Sequence, residues 1–192
     1  MVIEERVAKP ADVLDRDREW ASLIGFATGG EAKLKIGIVA GRRRHGKSFL
    51  LQHVTRRLGG LYLTAVEEDG RASALRRFSA AVAAHSGLPT SAVAMDDWEP
   101  LLRSALTVAQ RASATPLVVI DELPYLLRHS PEIPGLLQHL YDESQFGQSD
   151  APDRVPCCGV ADLRGGRVDG VGECGGAVGE FVGVELVHAA FG

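Results

Sequence analysis

Apolar positions along the chain alternate between two spacings. Three short runs, Ile36 to Ala40, Leu61 to Val66 and Pro116 to Ile120, are apolar with little polar interruption and rich in β-branched residues. That is the pattern of strands buried on both faces. Between and around them the spacing changes to that of helices. Leu23 and Ile24 mark one ending at Gly29-Gly30, and Phe49, Leu50, Val54 and Leu58 mark one over Ser48 to Leu58, stopped by Gly59-Gly60. Leu75, Phe78, Val82 and Ala83 give one face of a helix over residues 71–86, closed by Gly87, with a loop at Leu88-Pro89-Thr90. Trp98, Leu101, Leu102, Leu106 and Ala109 stripe a helix over 97–111, and Ile133, Leu136, Leu137 and Leu140 one over 131–144. Trp98 belongs to the core in this reading, and His129 and His139 to the surface or to helix caps. Strands alternating with helices predict an α/β fold of three layers, a parallel sheet between two layers of helices.

Two stretches carry chemistry. Gly41, four residues, then Gly46-Lys47-Ser48 complete the phosphate-binding pattern G-x-x-x-x-G-K-[ST], between a predicted strand and a predicted helix. The glycines let successive backbone N–H groups turn inward around a phosphate, and the helix starting near Lys47 adds its positive end. Lys47 sets a point charge on the β- and γ-phosphates, and the Ser48 hydroxyl is suited to Mg²⁺. Arg42, Arg43 and Arg44 fit phosphate or neighbouring-subunit contacts and a solvated loop equally well.

The second stretch is Pro116-Leu117-Val118-Val119-Ile120-Asp121-Glu122. A buried parallel strand delivers Asp121 at its carboxyl end, where ligands sit in open α/β sheets. Asp121 is expected to hold Mg²⁺ through a water, and Glu122 to orient and deprotonate an attacking water. The adjacent acid pair disfavours a small-molecule phosphotransferase, whose acceptor replaces water. A guanine-reading Asn-Lys-x-Asp motif is excluded, because the chain has no asparagine.

Composition changes the picture little. With 192 residues one domain is expected. A formal charge of −4 and a pI near 5.9 give no general pull toward nucleic acid. No apolar run is long enough for a membrane span, the charged N-terminus is unlike a signal peptide, and a cytoplasmic location is expected. The three cysteines, 157, 158 and 174, make no C-x-x-C pair. Four lysines against seventeen arginines indicate a GC-rich genome.

The motifs together resemble the archaeal-type ATPase family, a prokaryotic branch of the AAA+ and STAND-related ATPases. Val13 to Trp20 is similar to that family's F-V-x-R-E-x-E-L segment, with Leu14 a mild departure where Val is usual. Gly-Arg-Arg-Arg-His-Gly-Lys-Ser over 41–48 resembles its G-R-R-R-x-G-K-[ST] loop. Val118 to Leu126 looks like its strand of four hydrophobic residues followed by Asp-Glu. The resemblance covers residues 13 to about 148. It implies an ASCE-type P-loop core with a central Walker B strand, and ATP with Mg²⁺ as ligands. It further implies cofactor contacts from Gly41, Arg42, Arg43, Arg44, His45, Gly46, Lys47, Ser48 and Phe49, with Arg16 near the nucleotide or at an interdomain contact. Ser48 and Asp121 are then the metal residues, and Lys47 and Glu122 the catalytic ones. Hydrolysis would drive a switch or motor for an attached module, a partner protein or a homo-oligomer. Nucleic acid enters only through a C-terminal domain that is not recognisable here, and no membrane contact is implied.

The domain reading is therefore an N-terminal arm over 1–12, an ATPase domain over 13–148 and a tail over 149–192. Of the last 42 residues, 29 are Gly, Val, Ala, Asp or Glu, the amino acids whose codons begin with G. Two readings stand for this tail: a disordered low-complexity segment, or the product of a frameshift in GC-rich DNA. A one-base shift permits Gly159 to Leu163 to be read as Gly-Ser-Pro-Ile-Ser, which resembles the end of the family's next strand. Because sensor strand and helical lid are not recognisable, the sequence leaves two functions open. One is an ATPase; the other is a truncated nucleotide-binding remnant with little or no turnover.

Overall fold

The computed structural model describes residues 8–29, 33–39, 44–146, 156–159 and 184–186. In chain order these form α1 (Asp17–Thr28), β1 (Lys35–Ile38), α2 (Lys47–Leu58), β2 (Leu61–Thr64), α3 (Arg71–Ser86), a 3-10 turn (Thr90–Ala92) and α4 (Trp98–Ala112). Then come β3 (Val118–Asp121), α5 (Leu123–His129), α6 (Ile133–Phe146), β4 (Pro156–Gly159) and β5 (Val184–Leu186). The strands form one parallel sheet in the order β2-β3-β4-β1-β5.

Alternation along the strands divides the core into two layers. Leu61, Leu63, Val118 and Ile120 face α3 to α6, where Phe78, Val82, Trp98 and Leu101 meet them. Val39, Leu117 and Val119 face the other way, onto Trp20, Leu23 and Ile24 of α1 and Leu50, Leu51, Val54 and Leu58 of α2. Helices therefore flank a parallel sheet on both faces, as the strand–helix alternation predicts. Trp98 is fully buried, its ring edge-on to Phe78 at 5.3 Å and its indole N–H donating to Ser130 Oγ at 2.8 Å.

The helix limits lie close to those expected, because their stop signals are local. Gly59 and Gly87 both end helices in the left-handed conformation, and Asp97 caps α4 by accepting the Trp98 N–H. Strands are shorter than their apolar runs. β2 ends at Thr64, opposite Asp121, and the chain turns away through the Asp69 N–H to Val66 carbonyl bond. Leu106, expected in the stripe of α4, is only half-buried, and Ala105 takes the inner position.

Two differences concern whole elements. Residues 123–127, which carry no helical signal beyond Leu123 and Leu126, fold into α5. Pro124 in its first turn has no N–H to leave unpaired, and the two leucines pack inward. Within the tail expected to lack regular structure, Pro156–Gly159 lies between β1 and β3 and Val184–Leu186 pairs on the outer side of β1. The sheet supplies both with neighbours that no local pattern announces. The remainder of 149–192, and residues 1–7 of the arm, lie outside the described residues.

Candidate functional site

The phosphate-binding pattern is described from Arg44 onward; Gly41, Arg42 and Arg43 lie outside the described residues. Arg44 and Gly46 both have positive φ, 66° and 77°. For Gly46 that conformation is unstrained, and it turns the chain so that its carbonyl accepts the Leu50 N–H at 3.0 Å, opening α2. Lys47, the first residue of α2, is only 6% exposed. Lysine is rarely so buried. Ser48 follows at the same helix end.

Asp121 closes β3 with 4% exposure, so its carboxylate needs partners. Its Oδ1 accepts the Glu122 backbone N–H at 3.0 Å, and its Oδ2 accepts the Tyr62 hydroxyl. Tyr62 stands opposite Val119, two positions back from Asp121 on the neighbouring strand, on the sheet face that α2 covers. A long aromatic side chain spans that diagonal. Ser48 and Gln52, one turn apart on α2, are the other polar side chains that act on this phenol. Burial, then the Asp121 hydrogen bond and charge, push its pKa well above the usual phenol value, while Gln52 and Ser48 act in the opposite sense. The Tyr62 phenol thus ties β2 to Asp121 at the end of β3, on the sheet face that α2 and Ser48 cover.

Glu122, half-buried, has φ 58° and ψ 38°, a left-handed conformation uncommon outside glycine. It marks a sharp turn between β3 and α5 directly beside Asp121. Strained backbone of this kind concentrates at functional sites.

A cleft of about 450 Å³ opens beside the start of α2, lined by Leu14, Arg16, Arg44, His45, Gly46 and Phe49 among others. Leu14 and Phe49 expose apolar surface to it, at 74% and 47%. Arg16 donates to Glu19 Oε1 at 2.8 Å and to the His45 carbonyl at 3.2 Å, tying the start of α1 to the phosphate loop. Burial works to raise the Glu19 pKa, but the Arg16 hydrogen bond, a backbone hydrogen bond and the Arg16 and Arg18 charges together bring it below the usual value. The Phe49 ring lies 4.3 Å from that of His53, whose Nε2 is 3.6 Å from Asp12.

The expected residues therefore fall in two adjoining groups. Arg16, Arg44, His45, Gly46 and Phe49 surround the cleft, while Ser48, Asp121 and Glu122 gather at the carboxyl ends of the strands beside Lys47. His129 and His139 are on the surface, His139 pairing with Glu143 at 3.2 Å. Sequence reasoning missed Tyr62 and Gln52. The available signal was Tyr62 as a long polar-tipped side chain on the α2-facing side of its strand.

Among the described residues no group of three or more His, Cys, Asp or Glu side chains is arranged to hold a metal ion by itself, and no helix is long and apolar enough to cross a membrane. No protein-family model matches the chain, and no curated protein matches it.

Proposed function

We propose that the chain binds MgATP between the start of α2 and the carboxyl ends of β1 and β3, as a P-loop ATPase of the ASCE kind similar to the archaeal-type ATPases. The observation that carries this reading is the buried Lys47 that opens α2 straight after the left-handed Gly46, with the buried Asp121 at the carboxyl end of β3 on the same parallel sheet. The strand order adds support, since β4 lies between the phosphate-loop strand and the acid strand, the additional strand for which the ASCE class is named. The donor set also fits. A hydroxyl and a carboxylate are hard oxygen ligands, and Mg²⁺ binds through one or two such groups together with substrate phosphates.

Each residue has a role in this reading. Backbone N–H groups from Gly46 onward and the Lys47 ammonium hold the β- and γ-phosphates. Ser48 and Asp121 hold Mg²⁺, which neutralises charge on the phosphates. Glu122, turned off the strand end by its left-handed backbone, orients a water in line with the γ-phosphate. The cleft beside Phe49 and Leu14 receives the nucleoside, with Arg16 and Arg44 at its phosphate end. Hydrolysis then serves an attached or partner module, or a homo-oligomer.

Calorimetry tests the binding. Lys47→Ala removes a charge-assisted contact of about 1.5–3 kcal/mol, so MgATP affinity falls at least tenfold. Equal affinity of mutant and parent sinks the assignment. Phosphate release abolished by Glu122→Gln assigns turnover, whereas binding without such release identifies a nucleotide-binding module.

A further inference from the structure

Arg16 belongs to α1 through its backbone and to the phosphate loop through its side chain. Its carbonyl accepts the Trp20 N–H at 2.9 Å as the helix begins, and Trp20 is buried in the layer that α1 shares with α2. Its guanidinium reaches 29 residues along the chain, donating to the His45 carbonyl at 3.2 Å from one nitrogen and to Glu19 Oε1 at 2.8 Å from the other. His45 stands between Arg44 and Gly46, both with positive φ. The peptide that Arg16 grips is therefore the one whose N–H belongs to Gly46. A trans peptide sets its carbonyl and its N–H on opposite sides, and no peptide among the described residues is cis, so the Gly46 N–H points away from the guanidinium. Resting on the nucleotide-site reading above, we propose that Arg16 is a positioning residue for the phosphates: it holds the His45–Gly46 peptide by its carbonyl and so presents the Gly46 N–H to a phosphate, without touching the nucleotide itself.

The physical reason is twofold. A carbonyl that accepts a charge-assisted hydrogen bond polarises its peptide, which makes the N–H at the other end a stronger donor. The left-handed backbone of Arg44 is also unfavourable for an L-residue, so a hold from outside the loop keeps the peptide in place. Glu19, whose side chain is only 12% exposed, takes the second nitrogen and offsets the guanidinium charge. That pairing suits Arg16 to fix a carbonyl more than to attract an anion. The planar fork serves both acceptors from separate nitrogens, which a lysine ammonium cannot reproduce.

The test measures MgATP affinity by calorimetry, and the ¹³C resonance of the His45 carbonyl without ligand, for the parent chain, Arg16→Lys and Glu19→Ala. Arg16→Lys keeps the charge and loses the fork, so affinity is expected to fall about three- to tenfold, the size of one net hydrogen bond. Glu19→Ala removes a negative charge near an anion site, yet it unseats the guanidinium, so affinity falls here too, by less. In both variants the His45 carbonyl resonance moves upfield, a change that a general loss of stability does not produce. Parental affinity in Arg16→Lys, or unchanged or raised affinity in Glu19→Ala, overturns the positioning role and shows that any effect of Arg16 comes from its charge. Weakened binding with an unmoved carbonyl resonance overturns it as well, assigning the loss to the packing of α1. If Arg16→Lys does not fold, Glu19→Ala alone decides. Failure of the parent chain to bind MgATP overturns the phosphate-loop reading and the role of Arg16 with it. Binding by the parent with no response to either substitution overturns the role of Arg16 alone.

Discussion

Glu122 holds a backbone conformation that costs an L-residue about 1–2 kcal/mol and costs glycine almost nothing. A residue kept there despite the strain is expected to be chosen for its side chain. The backbone effect separates cleanly when two variants both lack the carboxylate. Glu122→Gly is predicted to be more stable than Glu122→Ala by about 1 kcal/mol in urea unfolding, although glycine usually loses such comparisons. Equal stability would mean that the turn relaxes without strain. His85, in the last turn of α3, gives a second test. Burial lowers its pKa below the ordinary 6.5, and its Nε2 has no hydrogen-bond partner among the described residues. The folded state thus binds the proton less readily than the unfolded chain. Its contribution to stability is full above pH 6.5 and is lost as pH falls from there through the lower folded value. His85→Gln should flatten the stability profile below pH 6.5, and an unaltered slope relative to the parent would rule the contribution out.

At the scale of elements, close approach decides what a position tolerates. A Cβ at Gly60 would sit 2.7 Å from the Leu117 carbonyl oxygen, the same oxygen that accepts the Leu61 N–H at 2.8 Å as β2 joins β3. Gly60→Ala must push the strands apart there, at a cost of about 1–3 kcal/mol. Gly25, exposed within α1, meets nothing within 4 Å, so Gly25→Ala is expected to stabilise by about 0.5–1 kcal/mol through helix propensity. Chemical denaturation of the pair gives opposite signs if the backbone approach is real. Ser130 follows the same logic for the helical layer. It is fully buried, and its hydroxyl is the partner of the Trp98 indole. Ser130→Ala orphans a buried N–H and is predicted to destabilise by about 1–3 kcal/mol, with a shift in tryptophan emission.

For the whole molecule, the sheet carries the site and both core layers. β3 is buried at every position, packed between α2 on one face and α3 to α6 on the other, and bonded to strands on both edges. Its Val119 and Ile120 amides are predicted to exchange hydrogen only through global unfolding, while amides of the loop from Arg44 to Gly46 exchange by local opening. Faster exchange in β3 than in α1 would contradict a core built around that strand. Because Asp121 and Glu122 end this most protected strand, the acids are held on the stiffest part of the structure. The start of α2 alternates between exposed Gly46 and Phe49 and buried Lys47 and Leu50. Movement on ligand binding is therefore expected at Arg44 to Ser48 rather than at the acids, and exchange measured with and without MgATP will show which side becomes protected.

Much of this was legible in the sequence for a local reason. Helix stops at Gly59 and Gly87, the cap at Asp97 and the apolar stripes are set by neighbouring residues, so spacing alone located α1 to α4 and the strand ending at Asp121. The motif residues Gly46, Lys47 and Ser48 were legible too, because their backbone requirements are written in residue type. Tertiary structure decided the rest. α5 forms because Leu123 and Leu126 find a core, and β4 and β5 form because the sheet offers a slot between β1 and β3 and a place outside β1 to short segments whose composition signals nothing. The bond between Tyr62 and Asp121 was hidden most thoroughly. It depends on strand register, which sets Tyr62 two positions back from Asp121 on the face beneath α2, and register is fixed only when separate strands pair.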